Sequence, residues 1–293
     1  MVAIDSTNVY SAMVYHHRAG GIFAVSREQA TLTQLTSIST DSVGALFVTK
    51  GVLYWEQDSP PSGVYTMPVD GSAAPSLLFP GGRSPAVDGQ FLYGTQAGSS
   101  ATVYRVPLSG GSPERLGTID PVGTGIGAIA VDDDMLWLME AGGVGFVRGS
   151  IQTMPKRGGT PDVVLRGIGF EHLSLHDGFV YVEGCESGFC RFATTGGAPD
   201  PITVVPTPPP ATFVEPNQAS ASFAVNDTWI HIVGCNTTAP CPTFTEPNLI
   251  HRVPVLGGAD SPIDPQGFAT CVAADDTAVV WANTDGSIWL LAK

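Results

Sequence analysis

The chain has 293 residues, 43% hydrophobic and only 14% charged, with 35 Gly and 24 Pro. Such a composition excludes a disordered polyelectrolyte, and so many punctuating residues exclude long helices, while the strict period of collagen is missing. A net charge of −14 has the wrong sign for binding nucleic acid or docking on an anionic membrane, and no apolar run reaches the roughly 18 to 20 residues of a membrane-spanning helix.

The N-terminus, MVAIDSTNVY, lacks the basic start and apolar stretch of a signal peptide, so any export signal is expected to have been removed. From there one phrase recurs along the chain: a small or apolar pair, a polar turn, then an apolar strand ending in an aromatic. Its seven copies are AIDSTNVY, FVTKGVLYW, AVDGQFLYG, AVDDDMLWL, SLHDGFVYV, AVNDTWIHI and AADDTAVVW. The first turn residues are Asp5, Thr49, Asp88, Asp132, His176, Asn226 and Asp275, spaced 39 to 50 apart. That is the period of a propeller blade.

A second phrase follows each copy, from GIFAVSR at 21–27 through TVYRVPLSGG at 102–111 to SIWLLAK at 287–293. It reads as a third strand, and a weaker segment after it, such as APSLLF at 74–79, suits an outer fourth. Each unit is thus predicted to be a four-stranded antiparallel meander whose two faces are buried by radial stacking. Residues 1–293 form one domain on this reading, an all-β, seven-bladed β-propeller. The chain stops on a third strand, so the last blade is expected to have three strands, or its fourth strand to have been lost ahead of the N-terminus.

The pattern A-V-D-x-x-x-hydrophobic-Y-W, followed by G-x-I-x-x-V-P-x-x-G-G-x-P, resembles the secreted bacterial propellers related to the YWTD, NHL and SMP-30-like groups. The resemblance runs from Val2 to Trp289 and implies the fold, whereas propellers host lyases, hydrolases, lectins and scaffolds alike. Likeness to the SMP-30-like enzymes implies carboxylate and amide metal ligands at the starts of several innermost strands. Only Glu171 and His172 fit that demand, which counts against a metal-dependent lactonase. The virginiamycin-inactivating propellers imply instead a lyase working through a loop histidine, here His16, His17 or His172.

Function is expected on the face that carries the loops between second and third strands, because their lengths vary while the strands stay uniform. Glu56, Glu140 and Glu183 follow three second strands, and Asp58, Glu171, Glu186 and Glu246 share their face. Such a mouth would suit a hydroxyl-rich or basic ligand, or calcium, although no D-x-D-x-D-G loop is present and no metal site is assigned. Arg18 and Arg148 lie on the same loops, and Phe146, Phe189, Phe213 and Phe244 in or beside them are candidates for ligand contact. The five tryptophans, all in repeat strands, are expected between blades. A proline-rich stretch at 206–220 reads as a stiff strap.

Cys185 with Cys190, and Cys235 with Cys241, bracket two hairpin loops at spacings that suit disulfides and not zinc, each worth about 2 kcal/mol in the chain-entropy model. Oxidised cysteines imply a secreted, periplasmic or envelope-tethered protein. Cys271 is left over and expected to be buried. Asn226 and Asn236 fall in N-x-T sequons. No cofactor is called for. The expected role is an exported, non-catalytic propeller that recognises a protein, peptide or glycan. The competing role is a lyase or hydrolase using a loop histidine with carboxylates at the channel mouth.

Overall fold

The computed structural model describes residues 1–15, 18–38, 43–96, 99–119, 125–140, 148–168, 170, 172–185, 188–196, 198, 200–202, 204–205, 223–235, 248–259, 261–264, 269–283, 285 and 287–292. Their regular structure is all strand, and no helix among them is long and apolar enough to cross a membrane. Seven antiparallel meanders follow one another along the chain, six of four strands and a last one of three. The innermost strands are Val2–Ile4, Val43–Thr49, Gly82–Val87, Ile126–Val131, Leu173–His176, Phe223–Val225 and Ala269–Ala274. Each contacts the next, and Val2–Ile4 meets Ala269–Ala274 to close the ring.

The packing explains why these strands are apolar on both faces. Side chains on a strand alternate between faces, and here each face belongs to a different blade-to-blade interface. In Val52–Gln57, Leu53 and Trp55 pack toward the first blade while Tyr54 packs toward the third. In Met135–Glu140, Leu136 and Leu138 join the third blade, and Trp137 and Met139 join the fifth. The buried apolar residues fall into seven clusters, one at each interface around the ring. The core is therefore a ring of seven apolar seams.

The repeat's turn residue explains the hairpins. Asp5 Oδ1 accepts the N–H groups of Thr7 and Asn8, both at 2.8 Å. Asp88, Asp132, Asn226 and Asp275 bond the same two positions of their own turns. These side chains replace the backbone bonds that the turn leaves unmade. The second and fifth blades solve the problem differently: Lys50-Gly51 and Asp177-Gly178 all have positive φ, between 45° and 75°. They form the two-residue turn whose twist matches a hairpin and which needs no capping side chain.

The last blade, Ala269–Ala274, Ala278–Asn283 and Ile288–Ala292, lacks an outer strand among the described residues. One expectation fails there. Trp55, Trp137 and Trp281 are buried and Trp229 partly so, but Trp289 is 54% exposed, because its strand is the edge of the sheet among the described residues. Trp289 instead stacks on Trp281, ring centroids 6.4 Å apart. Between the fifth and sixth blades Val204–Val205 pairs in parallel with Gly258–Ala259, an extra tie outside the meanders.

Candidate functional site

The second strands end, and the innermost strands begin, on one face of the ring; the capped turns lie on the other. On the first face the candidate carboxylates are tied into the blades. Glu56 is 8% exposed, and its Oε2 accepts Ser84 N–H at 2.9 Å from the innermost strand of the next blade. Ser84 Oγ in turn donates to the carbonyl of Gly127 at 3.1 Å in the blade after that. Burial, and secondarily Asp58, push the Glu56 carboxyl above its ordinary value, against the pull of Ser84 N–H and Arg83. Arg83 bonds Asp58 at 2.8 Å and lies 3.6 Å from Glu56. These residues form a strut across the second, third and fourth blades.

Glu140 has no exposed surface: Ser150 Oγ donates to it at 2.8 Å, and Gln152 Nε2 donates to Ser150 Oγ at 2.8 Å. A carboxylate so placed ties the second and third strands of its blade together. Glu183 meets His172, its Oε2 lying 2.9 Å from Nδ1, and the two backbones join through Glu183 N–H and the His172 carbonyl. Both side chains retain some exposure, 23% for His172 and 15% for Glu183. Phe223 meets the imidazole edge-on, and Phe189 meets Phe223 the same way.

Phe189 is 1% exposed in this aromatic cluster. It belongs to the interface between the fifth and sixth blades and is removed from the loop surface, because it faces inward on the strand Gly188–Ala193. Of the sequence candidates, the structure joins His172 with Glu183, and Glu56 with Asp58 through Arg83. Among the described residues no bond links Glu56, Glu140 and Glu183 to one another. His16, His17, Phe146, Glu171, Glu186, Phe213, Asn236, Cys241, Phe244, Glu246 and the stretch 206–220 lie outside the described residues, as do the side chains of Arg18, Arg148, Cys185 and Cys235. Cys271 is buried and is the free cysteine among the described residues; Cys190 is not a free thiol. Asn226 is fully buried with its carboxamide bonded, so its sequon is closed to modification.

Sequence reasoning passed over a pairing on the opposite face. The turn residue also bonds the side chain five positions on: Asp5 with the Tyr10 hydroxyl at 2.8 Å, Asp88 with that of Tyr93 at 2.9 Å, Asp132 with Trp137 Nε1 at 2.8 Å, and Asn226 Nδ2 with His231 Nε2 at 3.1 Å. The repeated spacing was the available signal. Burial first, then the bond to Asp5, raises the Tyr10 phenol to about 12. On this face too, an open cleft of about 600 Å³ separates the third and fourth blades, lined by Asp88, Phe91, Arg105, Asp133, Lys156 and Arg157. Arg105 stacks on Phe91, 4.7 Å from the ring centre.

No protein-family model matches the chain, and no curated protein matches it by sequence. Solved structures do share its fold. A puromycin-hydrolyzing peptidase of Mycobacterium tuberculosis superposes with a TM-score of 0.70 at 13% identity, over 99% of this chain and 50% of that one. Kuenenia stuttgartiensis hydrazine synthase gives 0.67 at 11% identity, over 100% and 94% of the two chains. BamB from Moraxella catarrhalis gives 0.55 at 12% identity, over 100% and 84%. At such identities the likeness is one of fold, and the chain is a seven-bladed β-propeller.

Proposed function

We propose that this propeller is an exported binding module, akin to the secreted bacterial propellers its repeat resembles, which recognises a protein, peptide or glycan through the loop face. The observation that carries this reading is the commitment of Glu56 and Glu140 to backbone and hydroxyl partners within the ring. The strand ends then act as a rigid support, and recognition is left to the loops beyond them. Asp58 and Arg83, 38% and 45% exposed in their side chains, are the charged pair at that rim. The test is to probe glycan and peptide arrays with the labelled chain. A ligand whose binding is lost on the charge reversal Asp58→Lys supports the reading; arrays without a binder, alongside measurable turnover, defeat it.

Export rests on oxidised cysteines, for which we propose the pairs Cys185–Cys190 and Cys235–Cys241. Supporting this, Cys190 is not a free thiol while Cys271 is. Labelling of the untreated, unfolded protein should then find one thiol; five would remove the argument.

One observation favours a second reading, a lyase or hydrolase. His172 and Glu183 form a partly exposed pair at 2.9 Å, the arrangement by which a carboxylate orients a histidine for proton transfer. On this reading His172→Ala abolishes turnover of a found substrate, and Glu183→Gln weakens it while leaving KM near its original value. Turnover unchanged in His172→Ala rules the reading out.

A further inference from the structure

His176 occupies the repeat's turn position but does not do that position's work. In five blades the equivalent Asp or Asn folds back to bond its own turn. The fifth blade closes with the two-residue turn Asp177-Gly178 at φ 45° and 72°, which requires no such bond. The imidazole is thereby released and turns sideways, placing Nε2 2.9 Å from Asp227 Oδ1 in the sixth blade. Asp276 of the seventh blade completes a group of three whose ligand atoms all lie within 4.8 Å of one another.

We propose that these three turns hold a divalent ion of the zinc type through His176, Asp227 and Asp276. The argument is independent of the binding role proposed above. It rests first on the donor set. One imidazole nitrogen and two carboxylate oxygens suit zinc or a neighbouring transition metal, whereas calcium and magnesium prefer all-oxygen shells. Three protein donors would also leave coordination positions open to water or a ligand.

The second support is the rigidity of the frame. His176 ends a strand paired with Phe179. Asn226 and Asp275, each one residue before an aspartate donor, fix their turns through backbone bonds of 2.7 to 3.1 Å. Asn226 Nδ2 also reaches the Asp275 carbonyl at 3.4 Å, tying the sixth turn to the seventh. The two aspartates are therefore held side by side in a protein of net charge −14. Asp276 makes no hydrogen bond among the described residues, so its carboxylate oxygens are open to a cation.

The experiment is equilibrium dialysis of the full chain, prepared without a histidine tag and stripped with chelator, against Zn2+, with Co2+ absorption as a second readout of imidazole and carboxylate coordination. Asp276→Asn is the main variant, since it leaves the His176–Asp227 bond in place; His176→Gln is the second, with thermal unfolding of both measured in chelator. The expected result is one ion per chain, weakened at least about tenfold in each variant, because even residues behind metal ligands cost that much when changed. Zn2+ retained equally by both variants, or no Zn2+ retained by the parent chain, overturns the proposal. A fall in unfolding temperature in chelator without any change in Zn2+ affinity overturns it as well, by making His176 a latch between blades.

Discussion

Arg27 donates to Asp275 Oδ2 at 2.6 Å across the seam where the last blade meets the first. The same guanidinium reaches the Asp5 carbonyl at 2.6 Å and Thr277 Oγ1 at 2.7 Å. Lys156 holds the equivalent place in the fourth blade and bonds Asp88 of the third at 2.7 Å. The two bridges are alike in geometry and unlike in consequence. At Lys156 the chain itself joins the blades, whereas at Arg27 the seam is spanned, among the described residues, by side-chain bonds and by an apolar cluster that includes Val2, Val9, Cys271 and Val280. We expect Arg27→Met to cost about 1.5 to 3 kcal/mol, the range for hydrogen bonds to a charged group. Amide exchange in Val2–Ile4 and Ala269–Ala274 should accelerate in that variant before the rest of the ring does, and Lys156→Met should show no such local opening. Equal acceleration everywhere would show that the seam is no weaker than the other interfaces.

Acid should attack the capped turns. Asp88 is held at about 2, against an ordinary 3.8: burial pushes it up, but Lys156, the N–H groups of Gln90 and Phe91, and the Tyr93 hydroxyl together prevail. Asp5 and Asp275 are lowered by the same kind of bonds, again against burial. A carboxyl lowered by folding binds fewer protons folded than unfolded, so its contribution is complete above 3.8 and is lost as pH falls toward 2. Glu56 runs the other way: its raised value means that ionisation works against the fold as pH climbs past the ordinary 4.5. Urea unfolding across this range should show a shallower acid slope in Asp88→Asn. At pH 7, Glu56→Gln should cost less than Asp88→Asn; the reverse order would contradict the burial of Glu56.

Gly82 is fixed by contact. A methyl group there would fall on the Phe79 ring, which is fully buried between the second and third blades and is approached by Gly94 as well. Gly82→Ala should cost about 1 to 3 kcal/mol, the usual toll of overpacking. Combined with Phe79→Ala, the loss should be smaller than the sum of the two single losses, because alanine lacks the Cγ and Cδ1 atoms on which the methyl would fall. Strict additivity in denaturant unfolding would place the strain elsewhere.

The edge of the last blade should be visible by fluorescence. Trp289 is 54% exposed, against 1%, 2% and 4% for Trp55, Trp137 and Trp281. Trp289→Phe should remove most of the emission that acrylamide quenches readily, with no loss of fold by circular dichroism. Undiminished quenching would mean that the edge is covered.

The ring was legible because its physics is local and repeated. A turn capped by Asp, then an aromatic five residues later, recurs with a spacing that only stacked meanders explain. The two uncapped turns were passed over, although Lys50-Gly51 and Asp177-Gly178 are pairs that invite positive φ. What the sequence hid is whatever depends on neighbours in the ring. Nothing local says that Glu140 is fully buried while Glu183 keeps some exposure beside His172. Nor does any motif announce His176, Asp227 and Asp276, which stand about 50 residues apart and meet only because three successive blades present the same turn to one face. Trp289 was misplaced for the related reason that its strand looks like the others, and only the missing neighbour exposes it.

Two buried tryptophans differ in one bond. Trp137 Nε1 donates to Asp132 Oδ2 at 2.8 Å, being five residues beyond the turn. Trp55 lies six beyond Thr49, on the other face of its strand, and its Nε1 is buried without a partner among the described residues. Each packs on one aromatic neighbour at similar range, Tyr65 at 5.6 Å for Trp55 and Phe192 at 5.4 Å for Trp137. Replacement by phenylalanine therefore removes similar ring area at both sites, but it breaks a charge-assisted bond at one and relieves an orphaned donor at the other. Trp137→Phe should be the costlier change by about 1.5 to 3 kcal/mol, seen as a lower denaturant midpoint at unchanged slope. Equal midpoints would show that Asp132 holds its turn without help from the indole.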